Sequence, residues 1–255
     1  MVTPTRPGGN LSLIHVSRSN PSILRSLGSQ NRAIRSANRS ILKFREVKKQ
    51  MLSPRTFTQK KYIDLLYSTV PIVIGTGPAG TGKTLLACHA ASKALVSGQV
   101  QRLILTRPAV SVDEQHGFLP GNLNKKMEPW TRPMFDALHR NFSPKRVKDM
   151  VMDEQIEICP LAYMRGRTFD NAWVIADEMQ NSTPSQMKML LTRIGEGSKM
   201  VVAGDTKQHD RGFEENGLID LLTRLDPDST NVRQVEFTEK DVIRSQVVKE
   251  ILRIY

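Results

Sequence analysis

Residues 77–84 read Gly-Pro-Ala-Gly-Thr-Gly-Lys-Thr, with the β-branched run Ile72–Ile74 just before them and a helix-period stretch, Thr84–Ser97, just after. That arrangement fits G-x-x-x-x-G-K-[ST] set between a strand and a helix, a loop that wraps phosphate groups. Its glycines let consecutive backbone amides turn inward, and Lys83 can reach the outer phosphates. The Thr84 hydroxyl is a ligand for Mg²⁺, and the following helix presents its positive end. Gly77, Pro78, Ala79, Gly80, Thr81, Gly82, Lys83 and Thr84 are therefore the candidate nucleotide-binding residues.

The rest of the chain supplies the sheet such a loop requires. Short β-branched runs alternate with longer amphipathic ones. The strands expected are Ile72–Ile74, Arg102–Leu105, Ile156–Cys159, Ala172–Ala176, Lys199–Ala203 and Val232–Phe237. The helices expected are Gln59–Tyr67, Thr84–Ser97, Asn124–His139, Pro184–Arg193, Gly217–Leu225 and Asp241–Ile254. Alternation of this kind means βαβ units, so the fold class expected is α/β with a mostly parallel sheet flanked by helices. No apolar run approaches the ~18 residues of a membrane helix, and the chain reads as soluble, with no membrane partner. Cys88 and Cys159 lack metal-ligand spacing and read as small buried hydrophobes in a reducing compartment.

The net charge of +12 belongs to one end of the chain. Residues 1–61 hold 13 Lys and Arg against Glu46 alone, while beyond them the remaining 24 of the 37 basic residues meet the remaining 24 of the 25 acidic ones. Residues 1–53 therefore read as a basic, Ser- and Arg-rich tail too polar to bury a core, and residues 54–255 as the folded domain. The tail's Arg-rich stretch from Met1 to Arg45, free of Asp and Glu, also suits a transit peptide or a nucleic-acid-binding arm, or serves only as a solvated tail. The location expected is the cytoplasm, or a mitochondrion or chloroplast if the first 50 or so residues are a transit peptide.

A phosphate-binding loop needs a carboxylate for its metal at the end of a neighbouring apolar strand. The run Trp173-Val-Ile-Ala-Asp177-Glu178 provides one. Asp177 is the candidate metal carboxylate with Thr84, and Glu178, one residue on, can deprotonate an attacking water. A base directly after the metal carboxylate favours hydrolysis over transfer to a small acceptor. A third strand ends in Gly204-Asp205-Thr206-Lys207-Gln208, where Gln208 is placed to bond the terminal phosphate or its water.

Together, Gly77–Thr84, Asp177-Glu178-Met-Gln180 and Gly204-Asp205-x-x-Gln208 resemble the nucleotide-binding core of superfamily 1 helicases. Leu105-Thr-Arg107-Pro108, Gly117-Phe-Leu-Pro120-Gly121 and Pro160-Leu-Ala-Tyr163-Met-Arg165-Gly166-Arg167-Thr168-Phe169 narrow the resemblance to the PhoH-like ATPases, over about residues 54–255. The resemblance implies a RecA-like P-loop domain that hydrolyses ATP with Mg²⁺, is linked to single-stranded RNA and in some members to unwinding, and assembles as a homo-oligomeric ring, a hexamer by that resemblance. Thr56-Phe-Thr-Gln59 resembles an adenine-reading segment, so Gln59 is either a base reader or a polar cap of its helix.

Superfamily 1 helicases bring an arginine from a second RecA-like domain to the γ-phosphate, and this chain has one such domain. The expectation is an arginine supplied in trans, with Arg244, Arg211 and Arg165 as candidates in that order and a surface ion pair as the plain alternative. Asp241-Val-Ile-Arg244 continues with Ser245-Gln246 where the family pattern continues with His and Pro. For RNA the candidates are Arg107, Arg165 and Arg167, with Lys125, Lys126 and Trp130 nearby. Two other functions compete: a nucleotide-gated RNA-binding or regulatory module with slow turnover, and a P-loop small-molecule kinase.

Overall fold

In the computed structural model, residues 52–108, 123–208 and 216–245, with 247, 248, 250 and 254, are described, and side chains between 123 and 130 are not. The basic tail, the Gly117–Gly121 loop and Arg211 lie outside the described residues, as do the side chains of Lys125, Lys126 and Trp130.

Six strands form one sheet: β1 (Ile72–Thr76), β2 (Arg102–Thr106), β3 (Ile156–Ile158), β4 (Ala172–Ala176), β5 (Lys199–Gly204) and β6 (Val232–Glu236). Their order is β3-β2-β4-β5-β1-β6, and every pairing is parallel. The helices are α1 (Phe57–Tyr67), α2 (Lys83–Ser97), α3 (Leu123–His139), α4 (Pro144–Met152), α5 (Pro184–Leu191) and α6 (Gly217–Arg224).

The inner strands β1, β2, β4 and β5 read as near-continuous apolar runs because both faces are covered, while the edge strands β3 and β6 carry polar residues. Val73, Leu103, Leu105, Ile175 and Val201 point into one core, beneath Tyr62 and Leu66 of α1, Leu86 and Ala90 of α2 and Met134 and Leu138 of α3. Their neighbours Ile74, Ile104, Val174 and Val202 point into the other, against Met187 and Leu190 of α5 and Leu218 of α6. Cys88 and Cys159 are free thiols buried in these two cores. Among the described residues no helix is long and apolar enough to cross a membrane.

Two elements depart from expectation. Helix α4 is an addition, although its signals are local: Ser143 accepts the amide of Arg146, Pro144 occupies the first turn, and Val147 and Met150 are buried three apart. The helix expected over Asp241–Ile254 does not start at Asp241. A short 3₁₀ turn covers Glu239–Asp241, held by a reciprocal Thr238–Asp241 cap. The backbone then runs without helix from Val242 to Ser245, where the Ile243 amide donates to the Gly80 carbonyl at 3.0 Å. The phosphate loop competes successfully for that amide, and helix appears only past Ser245, whose hydroxyl accepts from the Val248 amide.

At the opposite end of the sheet, Lys199 is buried and its ammonium donates to the carbonyls of Leu65, Leu66 and Ser68 at 2.8–2.9 Å. It closes the C-terminus of α1, above the ring of Trp173. Burial pulls its pKa down to about 8, so it remains charged at neutral pH. Lys199→Met should lower stability by about 2–3 kcal/mol, since one buried and two partly buried carbonyls lose their donor. Urea unfolding of the full chain would check this, and an unchanged midpoint would contradict it.

Candidate nucleotide-binding site

Parallel strands bring their carboxyl ends to one edge, and here those ends carry the chemistry. Thr76 of β1 pairs with Gly204 of β5, and Thr106 of β2 with Ala176 of β4. The next residues, Gly77, Asp205, Arg107 and Asp177, are thus delivered together by register alone.

The loop between β1 and α2 turns through Gly77 at φ 126° and Gly80 at φ 84°, a region L side chains rarely adopt. Space forbids a side chain as well. A Cβ on Gly77 would strike the Phe237 carbonyl, and one on Gly80 would strike the Arg244 guanidinium. Lys83, at the start of α2, is nearly buried and folds back into the loop, donating to the carbonyls of Gly77 at 2.6 Å and Pro78 at 2.9 Å. Burial lowers its pKa, opposed by the charges of Asp205, Asp177 and Glu178.

The Thr84 hydroxyl donates to Asp177 Oδ1 at 2.7 Å. Asp177 is 6% exposed, and burial, then the charge of Glu178, raises its pKa, while Thr84, Arg107 and Lys83 hold it down. A hydroxyl and a carboxylate oxygen converging at the loop's end are the hard oxygen donors that Mg²⁺ takes when phosphate oxygens and waters complete its shell. The residues fit that ion.

Glu178 sits at φ 54°, left-handed for a side-chain-bearing residue, which costs roughly 1 kcal/mol. Both of its carboxylate oxygens are engaged. Oε1 lies 3.5 Å from Arg107 Nη2, and Oε2 accepts from Gln180 Nε2 at 2.6 Å. Gln180 Oε1 in turn accepts the Asp205 amide at 3.1 Å, so one side chain ties the end of β4 to the end of β5. In the sequence Gln180 stands only as part of a motif, and this bridge is what its position does.

These groups line one cavity of about 290 Å³ that includes Lys83, Thr84, Asp177, Glu178, Asp205 and Gln208. Its far wall is the end of α3, with Pro133, Asp136, Ala137 and Arg140. Sequence reasoning missed this wall entirely, because no motif marks it.

Other expected residues fall elsewhere. Gln59 is buried, donates to the Thr81 carbonyl at 2.9 Å and accepts the Arg55 amide at 2.8 Å. Its amide thus fastens α1, whose N-cap is Thr56, to the phosphate loop. Arg244 lies against Gly80 of its own chain, outside the cavity's lining, because the Ile243–Gly80 bond brings it there. Arg107 pairs with Glu178 instead of standing clear for a ligand. Arg167 forks onto both oxygens of Glu157 and stacks over Phe169, beside the edge strand β3 and away from the phosphate cavity. Arg165 is exposed in the same loop.

Residues 51–255 match the family described as PhoH-like protein. The PhoH-like protein of Mycobacterium tuberculosis (strain ATCC 25618 / H37Rv) is 46% identical over 208 residues, covering 80% of this chain and 58% of that one. Protein PhoH of Escherichia coli (strain K12) is 42% identical over 205 residues, covering 79% of this chain and 57% of that one. The chain thus spans somewhat under two thirds of the length of these relatives. Among solved structures, the Pif1 helicase from Candida albicans superposes at a TM-score of 0.41 with 14% identity, over 80% of this chain and 43% of that one. The large terminase from a thermophilic bacteriophage reaches 0.46 with 12% identity, over 80% and 51%. With its phosphate loop, parallel sheet and strand-end carboxylates in place, and matched from residue 51 to its last residue, this chain belongs to the family of PhoH-like proteins.

Proposed function

We propose that the domain binds ATP with Mg²⁺ and hydrolyses it to ADP and phosphate. The observation that carries this is the 2.7 Å bond between Thr84 and Asp177 with Glu178 one residue on, all opening into the cavity that holds Lys83. The backbone amides of the Gly77–Thr84 loop, Pro78 excepted, would hold the phosphate chain, and Thr84 and Asp177 would hold the cation. A Mg²⁺ ion held there would supply charge neutralisation for the phosphoryl group in transfer. Lys83 exchanges the carbonyls of Gly77 and Pro78 for phosphate oxygens. Glu178 takes a proton from the water whose oxygen attacks the γ-phosphorus as the bond to the β-bridging oxygen breaks. Gln208, on the cavity wall, orients that water or reports the terminal phosphate. Gln59 keeps the loop in register with α1.

Coupling to single-stranded RNA belongs to the same reading, and Arg107 supports it. It stands at the carboxyl end of β2, where ligands of α/β sheets gather, and it holds the base through a partly exposed ion pair worth at most about 1 kcal/mol. A phosphate of RNA is a competitive partner for that guanidinium, with Arg165 in a neighbouring loop. A ring of identical subunits would give RNA a continuous path. The cytoplasm suits both its buried thiols and its bacterial relatives.

The engaged carboxylate of Glu178 favours one second reading, a nucleotide-gated RNA-binding module with slow turnover. Phosphate release from ATP, without and with a single-stranded RNA oligonucleotide, separates them. Stimulation of about tenfold or more is expected for an RNA-coupled ATPase. Slow release that RNA does not change would favour the second reading, and release only with an added small-molecule acceptor would point to a kinase.

A further inference from the structure

Two cations line the phosphate cavity, Lys83 on the loop and Arg140 beside the end of α3, while Arg107, outside that lining, pairs with Glu178. Against them stand Asp177, Glu178, Asp205 and Asp136. As the γ-phosphoryl group of a triphosphate in that space transfers, charge is redistributed over its γ- and bridging oxygens, and Lys83 is the cavity-lining cation on the loop side. We infer that Arg140 is a catalytic residue that contacts the γ-phosphoryl oxygens in cis, an inference that rests on the cavity being an ATP site.

The fold fixes the backbone of Arg140 on the cavity wall. It follows the last residue of α3, and its amide donates to the Ala137 carbonyl. Met134, Leu138 and Phe142 around it are buried in the core shared with α2. The next residue, Asn141, is buried and accepts a 2.6 Å hydrogen bond from His89 Nδ1 on α2. Lys83 begins that same helix, so the two cations ride on packed elements whose spacing is fixed. The Arg140 side chain is exposed and makes no hydrogen bond or ion pair among the described residues, even to Asp136 one turn earlier on the same wall. A planar guanidinium there can take two γ-phosphoryl oxygens with a rigid pair of parallel N–H donors, a geometry an ammonium does not fix.

An arginine supplied in trans is then not required at this site, because Arg140 supplies the guanidinium from within the same fold.

The test uses the full chain and its Arg140→Ala and Arg140→Lys variants, with steady-state phosphate release and fluorescence-detected ADP binding. Arg140→Ala should lower kcat by roughly 10²–10³-fold, as for loss of one donor to developing charge, with ADP affinity within about twofold of the parent. Arg140→Lys should recover part of the loss and melt with the parent, which separates catalysis from folding. Mixing Arg140→Ala chains with Lys83→Ala chains should restore nothing, because each active site needs both residues from one chain. Parental kcat in Arg140→Ala, equal losses of ATP and ADP affinity, or recovery on mixing would each overturn the assignment. If the parent releases phosphate and Arg140→Ala matches it, Arg140 is wrong while the ATPase reading stands. If the parent releases none, the ATPase reading itself fails.

Discussion

Glu178→Gln should bind ATP as the parent does and release phosphate at least ~10²-fold more slowly, the range expected when a positioned general base is removed. The amide keeps the shape of the side chain and can still meet Gln180, but it cannot take a proton from water. It also loses the charge that draws Arg107, so any RNA response routed through that ion pair should disappear with it. Burial and the Glu178 charge together raise the Asp177 pKa, so removing the second charge should let Asp177 ionise more readily and leave the cation site intact. Filter binding of labelled ATP beside phosphate release reads both halves. Parental hydrolysis by the variant would remove Glu178 from the role of base.

Lys83→Ala should suppress turnover by about 10³-fold and also weaken ATP binding. The ammonium is the cation buried in the loop, and without a nucleotide it ties the Gly77 and Pro78 carbonyls together at 2.6 and 2.9 Å. Its removal leaves those acceptors unsatisfied as well as leaving the phosphates uncompensated, so the loop should also lose order. Isothermal titration with ATP and with ADP would register this as reduced affinity for both. That separates it from Glu178→Gln, which should lower the rate alone.

The fold was legible because its signals are local and repeated. β-branched runs of three to six residues alternate with helix-period stretches, and a strand buried on both faces shows as an unbroken apolar run, as Trp173–Ala176 and Met200–Ala203 do. The loop and its carboxylates were legible for a related reason: each sits one step past a strand, so parallel pairing alone carries Gly77, Asp177 and Asp205 to one edge.

What the sequence hid is long-range. The contact of Ile243 with Gly80 spans 163 residues and overrides the apolar period that suggested a helix from Asp241. The pairing of Arg107 with Glu178 turns a residue read as a ligand contact into a partner of the candidate base. Arg167 looked available until Glu157, ten residues earlier, claimed it. Arg140 carries no motif, since its place depends on how α3 packs against α2 and on the Asn141–His89 bond that locks its neighbour. Charge misled in the opposite direction: the excess that sets the net +12 lies in the first 61 residues, while the site is built from a body of balanced charge.

Release of inorganic phosphate from ATP by the full chain in Mg²⁺, beside a Lys83→Ala chain prepared identically, bears most directly on the chemistry assigned to the cavity. The expected result is steady release by the parent that stops when Mg²⁺ is chelated, with release by Lys83→Ala near the level of buffer. Equal release by the two chains, or tight ATP binding by the parent with no phosphate formed, would contradict it.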